Sequence, residues 1–216
     1  MRYRLLLIFL FSFFVEAIAK TDYSKKSKYY SNYHLNRIYK KVAKNCDVNK
    51  KALKRAFYYY KKYKKSKNLS EKYIAIADYT KVFNSKRLYI IRLSDGKVFR
   101  YKVAHGLRSG AKGGRVWRSS NKKNSLMTPY GFFRVGSKEG VTFKKKYRYL
   151  PIMGLEWNNK KVGLPPQKGG RDIIVHTANY VNYGGRSLGC FAIRPVDKKA
   201  VFTKLKRALL YSYTGK

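Results

Sequence analysis

The chain has 216 residues, room for one ordinary domain with an extension, and carries 51 Lys and Arg against 10 Asp and Glu, a formal charge of +41. With 44% hydrophobic residues and 21 Tyr it has the material for a packed core, which excludes a wholly disordered basic tail. Two Cys exclude a disulfide scaffold, and three His with two Cys, none closely spaced, argue against a structural zinc site, so no metal or other cofactor is expected.

Arg2 and Arg4 precede an apolar run over 5–15 that closes on Ala17-Ile18-Ala19, the order of a secretory signal peptide cut after Ala19. The run is about half the roughly 20 residues that span a bilayer, so the membrane is expected to be met only through this signal. Its removal takes two cations and one acid, and +41 becomes +40. The charge therefore belongs to the exported protein. Outside the inner membrane, anionic envelope polymers replace nucleic acid as the expected partner, and no nucleic acid is expected. Self-repulsion at this charge favours a monomer.

Residues 20–70 read as a basic, partly helical extension, with 17 Lys and Arg between Lys20 and Asn68 against Asp22 and Asp47. The part up to Tyr33 has no apolar period and reads as disordered, and His34 reads as solvated. Leu35, Ile38, Val42 and Cys46 then recur as one helix face, with Cys46 a buried free thiol. Asp47 is the expected cap of a second helix with the stripe Val48, Ala52, Leu53, Ala56, Phe57, Tyr60 and Tyr63, giving a helical hairpin. Beyond residue 71 the pattern turns to strands, at 73–79, 87–93, 97–104, 130–135, 150–157 and 172–176. Ser94-Asp95-Gly96 marks a hairpin turn. Residues 106–128 form a long loop of the kind that carries function, and a helix with Val201, Leu205, Ala208 and Leu209 on one side follows Pro195.

The candidate chemistry lies between Arg171 and Pro195. An apolar strand ends on His176, and Arg186-Ser187-Leu188-Gly189-Cys190-Phe191 follows. A cysteine thiol is mostly protonated near neutrality, so a catalytic Cys190 needs an imidazole to take its proton, and His176 is the nearest candidate. Gly189 lets the backbone approach a substrate closely, and amide N–H groups around the nucleophile can face a developing oxyanion. The bland reading of the same residues is a buried Cys190 and a satisfied strand-end His176.

The arrangement resembles the L,D-transpeptidase catalytic domain, the YkuD-type family, in its murein L,D-transpeptidase branch. The matching residues are His176, Ser187-Leu188-Gly189-Cys190, Ala77-Asp78-Tyr79, Lys86-Arg87-Leu88-Tyr89, Ala104-His105-Gly106, Ser109-Gly110, Ser120-Asn121 and Ala178-Asn179-Tyr180-Val181, spread over roughly 70–212. The resemblance implies a mainly β, sandwich-like catalytic domain over 71–216, preceded by the basic helical segment and followed by a C-terminal helix. It implies that Cys190 attacks the carbonyl of the third residue of a peptidoglycan stem peptide, releasing D-Ala, with His176 as general base steered by the Thr177 carbonyl. It further implies that the N–H groups of Gly189 and Cys190 form the oxyanion hole. The chain has Thr177 and Ala192 where many members have Gly and Arg, and Arg186 is the candidate replacement, holding the substrate carboxylate or the loop. Ser187 is expected to support that loop, and His105 either to border the cleft or to play a structural role at a strand end.

The expectation is an exported, periplasmic or secreted L,D-transpeptidase that passes its acyl group to an amine. The alternatives are an L,D-carboxypeptidase, with water as acceptor, or an inactive polyanion-binding protein.

Overall fold

The computed structural model describes residues 27–142 and 147–215, and the signal-peptide reading lies outside them. Helices α1 (Asn32–Asn45) and α2 (Lys50–Tyr63) form the expected hairpin. Ser31 starts α1 by accepting the His34 N–H at 3.2 Å, and Leu35, Ile38 and Val42 are its buried stripe. The cap of α2 is Asn49, which takes the Lys51 and Ala52 N–H groups at 3.0 and 3.2 Å, and not Asp47. Asp47 turns to Lys81, Arg100 and the Tyr89 hydroxyl at 2.7, 3.1 and 3.2 Å, donors that the sheet brings to it. Two further expectations are corrected at the start of the described chain. Tyr29 and Tyr30 pack against the hairpin core from the stretch expected to lack order, and His34 donates from Nε2 to Leu93 O at 2.7 Å.

One continuous sheet holds nine strands: β1 (Tyr73–Asp78), β2 (Leu88–Arg92), β3 (Val98–Tyr101), β4 (Gly131–Val135), β5 (Gly140–Val141), β6 (Arg148–Gly154), β7 (Ile174–Thr177), β8 (Phe191–Ile193) and β9 (Leu209–Tyr213). Their order is β3-β2-β1-β9-β4-β6-β7-β8, with β5 on β6. Neighbours are antiparallel except β1 with β9 and β7 with β8. The sheet curls until its two edges meet, where Val103 bridges Ile193 and Ala104 N–H donates to Ala192 O at 2.9 Å. The layering expected of a sandwich thus comes from a single, nearly closed sheet. The turn at Asp95 and Gly96 joins β2 and β3 as expected, with the Asp95 carboxylate on Arg92 and on the Lys97 N–H. Among the described residues no helix is long and apolar enough to cross a membrane.

Two cores use the two faces of this sheet. Inside lie Ile90, Phe133, Leu150, Val175, Phe191 and Leu210, with α3 (Lys198–Leu205) supplying Val201, Phe202 and Leu205. Outside, α1 and α2 cover Ile74, Ile76, Tyr89, Ile91, Leu209 and Tyr211. The helix after Pro195 is present but stops at Leu205. Leu209 belongs instead to β9, every residue of which is buried.

Leu53, fully buried in the outer core, tests whether helices and sheet are one cooperative unit. Leu53→Ala is expected to cost about 2–5 kcal/mol. Urea unfolding followed by far-UV CD and by the near-UV signal of the buried tyrosines is expected to give coincident, equally shifted transitions.

Candidate active site

The parallel pair β7 and β8 places the two candidate reactive residues on neighbouring strands. His176 is in register with Ala192 and Val175 with Phe191, so Cys190, one residue before β8, lies alongside Ile174. Alternation sends Val175 and Phe191 into the interior core and His176 to the opposite face. Cys190 is half-buried against that core, and His176 is only 7% exposed.

The imidazole is oriented by its own strand. His176 Nδ1 lies 2.9 Å from Thr177 O, and because a carbonyl can only accept, Nδ1 carries the proton and the neutral ring has its lone pair on Nε2. Tyr147, at the start of the segment leading into β6, stacks on the ring at a centroid distance of 4.9 Å. A carbonyl and an aromatic face orient the ring.

The Cys190 loop is fixed by Ser187. Its Oγ donates to Cys190 O at 2.7 Å and accepts the Gly189 N–H at 3.1 Å, and its N–H donates to His105 O at 2.9 Å. Ser187 supports the loop, as expected. Gly189 departs from expectation, since its N–H is spent on Ser187 Oγ. Gly189 has φ of +123°, and a Cβ there would meet Arg171 Nη2 at 2.7 Å and Met127 O at 2.8 Å.

Arg186 donates through Nη1 to Leu107 O and Gly110 O, both at 3.2 Å, which is the loop-holding half of its expected role. Of the two roles open to His105, cleft residue or structural residue, its full burial fits the second. Arg87 Nη2 donates to its Nδ1 at 2.7 Å, so the ring is neutral with its proton on Nε2. Burial, then the Arg87 charge, lowers its pKa to about 4. The ring is a structural post behind the Cys190 loop.

Sequence reading missed two neighbours. Arg171 anchors the 106–128 loop by donating to Ser120 O at 2.5 Å and Met127 O at 2.7 Å, beneath Gly189. Tyr147 is the other. In a chain with 51 cationic residues and 21 Tyr, neither stands out by type. Burial pushes the Cys190 thiol up to about 11, against the pull of the Ile174 N–H and Arg171. The resting sulfur is therefore a protonated thiol, and Nε2 of His176 is the basic atom that this strand pair provides. Among the described residues no group of three or more His, Cys, Asp or Glu could hold a metal ion.

The family model described as the L,D-transpeptidase catalytic domain matches residues 44–213, a stretch that includes α2. Among solved structures, a point variant of the helical cell shape determining protein Pgp2 from Campylobacter jejuni is similar at 19% identity and a TM-score of 0.42, over 68% of this chain and 49% of that one. An L,D-transpeptidase from Xylanimonas cellulosilytica is similar at 14% identity and a TM-score of 0.36, over 71% of this chain and 69% of that one. The chain thus spans about half the length of the Campylobacter protein it matches. No curated protein matches it.

Two outcomes test this geometry. In a Cys46→Ala background, alkylation of Cys190 by iodoacetamide, followed by mass spectrometry, is expected to keep rising with pH toward about 11, because only the thiolate reacts. A plateau near neutrality would contradict the buried thiol. Gly189→Ala is expected to destabilise the fold by about 1–3 kcal/mol in denaturant titration, because the left-handed backbone and the Arg171 contact both oppose a side chain.

Proposed function

The chain belongs to the L,D-transpeptidase catalytic-domain family, and from that premise we propose that it is an exported, peptidoglycan-modifying cysteine acyltransferase. The observation that carries this reading is His176, its Nδ1 held by Thr177 O at 2.9 Å, on the strand beside Cys190. In the proposed reaction Nε2 of His176 takes the thiol proton as Sγ attacks the carbonyl of the third residue of a tetrapeptide stem. The Cys190 N–H meets the developing oxyanion. Collapse of the intermediate breaks the C–N bond to D-Ala, His176 returns the proton to the leaving amine, and a thioester remains on Cys190. An acceptor amine then attacks the thioester carbonyl, giving up its proton to His176 and releasing the thiolate to be reprotonated. Water in place of the amine makes the enzyme an L,D-carboxypeptidase.

Burial of Cys190 suits this sequence. A thiol held protonated at rest stays unreactive until substrate completes the site, and His176 takes its proton only as the bond to carbon forms. The signal-peptide pattern and the +40 charge left after its removal support action at the envelope, where anionic polymers hold the protein near its substrate.

The test is incubation of purified disaccharide-tetrapeptide with the full protein, read by mass spectrometry. Release of D-Ala and a thioester adduct on Cys190 are expected, with a cross-linked dimer if an amine is the acceptor and a tripeptide if water is. Cys190→Ala is expected to lower D-Ala release by a factor on the order of 10^4 or more, as removal of a nucleophile does. Undiminished release in Cys190→Ala would refute the mechanism.

A further inference from the structure

Three cavities along α2 share walls. One of about 690 Å³ lies between α2, β4 and β9; a second, of about 480 Å³, shares Arg55 and Tyr58 with it; a third, of about 440 Å³, shares Lys67, Leu155 and Glu156. Together they form one groove running from α1 across α2 to the segment after β6.

The middle of the groove has an aromatic floor, with Phe132 stacked on Tyr59 at 4.0 Å and on Tyr211 at 4.2 Å. Two large rings along it stand in water, Tyr58 where the first two cavities meet, at 62%, and Trp157 in the third, at 84% exposure. Lys160 lies over Trp157 at 3.2 Å from the ring centre. Cations line the groove, Lys51 and Lys54 on α2 in the second cavity, then Lys67, Arg134 on β4 and Lys160 toward Trp157. Among the described residues that line it, Glu156 is the one acid, and its Oε2 is already taken by the Phe132 N–H at 2.8 Å. Exposed rings at intervals with cations between them suit an extended polymer that has flat apolar faces and carries negative charge.

We propose that this groove holds a glycan strand of peptidoglycan, with pyranose faces on Tyr58 and Trp157 and stem carboxylates on the lysines. The proposal rests on reading peptidoglycan as the substrate of the Cys190 site. The groove is joined to that site by a short bonded path. Tyr130, on the groove wall, exchanges backbone bonds with the Asn121 side chain at 3.1 and 3.2 Å; Ser120 O takes Arg171, and Arg171 lies beneath Gly189. A strand held in the groove is therefore held against the same rigid elements that carry the nucleophile.

The test is co-sedimentation of the full protein with purified sacculi stripped of teichoic acid. It compares wild type with the pair Tyr58→Ala and Trp157→Ala and with the pair Lys54→Gln and Lys160→Gln. These side chains are exposed, so unchanged melting temperatures are expected. The ring pair is expected to weaken binding about tenfold. The lysine pair is expected to weaken it at low salt and much less at high salt, where charge is screened. Wild-type sedimentation by the ring pair, absence of sedimentation by wild type, or displacement from sacculi by a lower concentration of single-stranded DNA than of soluble glycan strands would overturn the proposal. Acylation of Cys190 in wild type by soluble disaccharide-tetrapeptide is measured separately. Ring-dependent sedimentation without acylation would remove the enzyme reading and leave the groove standing.

Discussion

A guanidinium entirely out of water organises the region behind the nucleophile. Arg87 is fully buried, and its Nε donates to Val103 O at 3.2 Å while Nη1 donates to Lys81 O and Gly114 O at 3.0 and 2.9 Å. Nη2 holds His105, and the rings of Tyr79 and Phe83 face the cation at 4.9 and 5.7 Å. A charge moved from water into a protein costs several kcal/mol unless it is this well met, so the three segments whose carbonyls accept from Arg87 are bound to one arrangement. Burial lowers the Arg87 pKa to about 10, which still leaves it charged at neutral pH. His105 passes the constraint on through its carbonyl to Ser187, and Ser187 to Gly189 and Cys190. The nucleophile loop takes its geometry from a cation several residues removed.

The same solution recurs around the site. Arg171 ends on Ser120 O and Met127 O, Arg186 on Leu107 O and Gly110 O, and His176 on Thr177 O. A chain with 10 acidic residues has few carboxylates to place beside buried cations, and those at Asp47, Asp95 and Asp197 pair with surface arginines or lysines. Main-chain carbonyls stand in for them. A carbonyl cannot titrate, so these contacts hold across the pH range in which carboxylate pairs would loosen.

Much of this was legible in the sequence where one period or one motif governed a segment. The stripes of α1 and α2 and six of the strands follow from apolar spacing, and the Ser187 to Cys190 motif located the site. Long-range choices were not legible. Asp47 looked like a cap because its neighbours in sequence are helical, but Lys81 and Arg100 reach it from the sheet. Leu209 looked helical because β9 is buried on both faces and shows no alternation, with Leu210 in the inner core and Leu209 and Tyr211 in the outer. His105 could be a cleft or a structural residue by sequence, and Arg87, distant in sequence, decides between them. Tyr147 and Arg171 needed the folded chain to distinguish them from many residues of their type.

Strand β9 has one further consequence. It lies between β1 and β4, so Ile74 waits for Leu209 as its parallel partner, and the hairpin of α1 and α2 waits for Leu209, Tyr211 and Tyr213 to complete the face on which it rests. A chain that emerges from a ribosome with α1 first therefore has its amphipathic helices and the flank of β1 uncovered until nearly all of the sheet has arrived. Such late closure slows folding and lengthens the interval in which apolar surface is open to aggregation. It also keeps the two runs β3-β2-β1 and β4-β6-β7-β8 from being joined through β9 until the segment at 209–213 has come through.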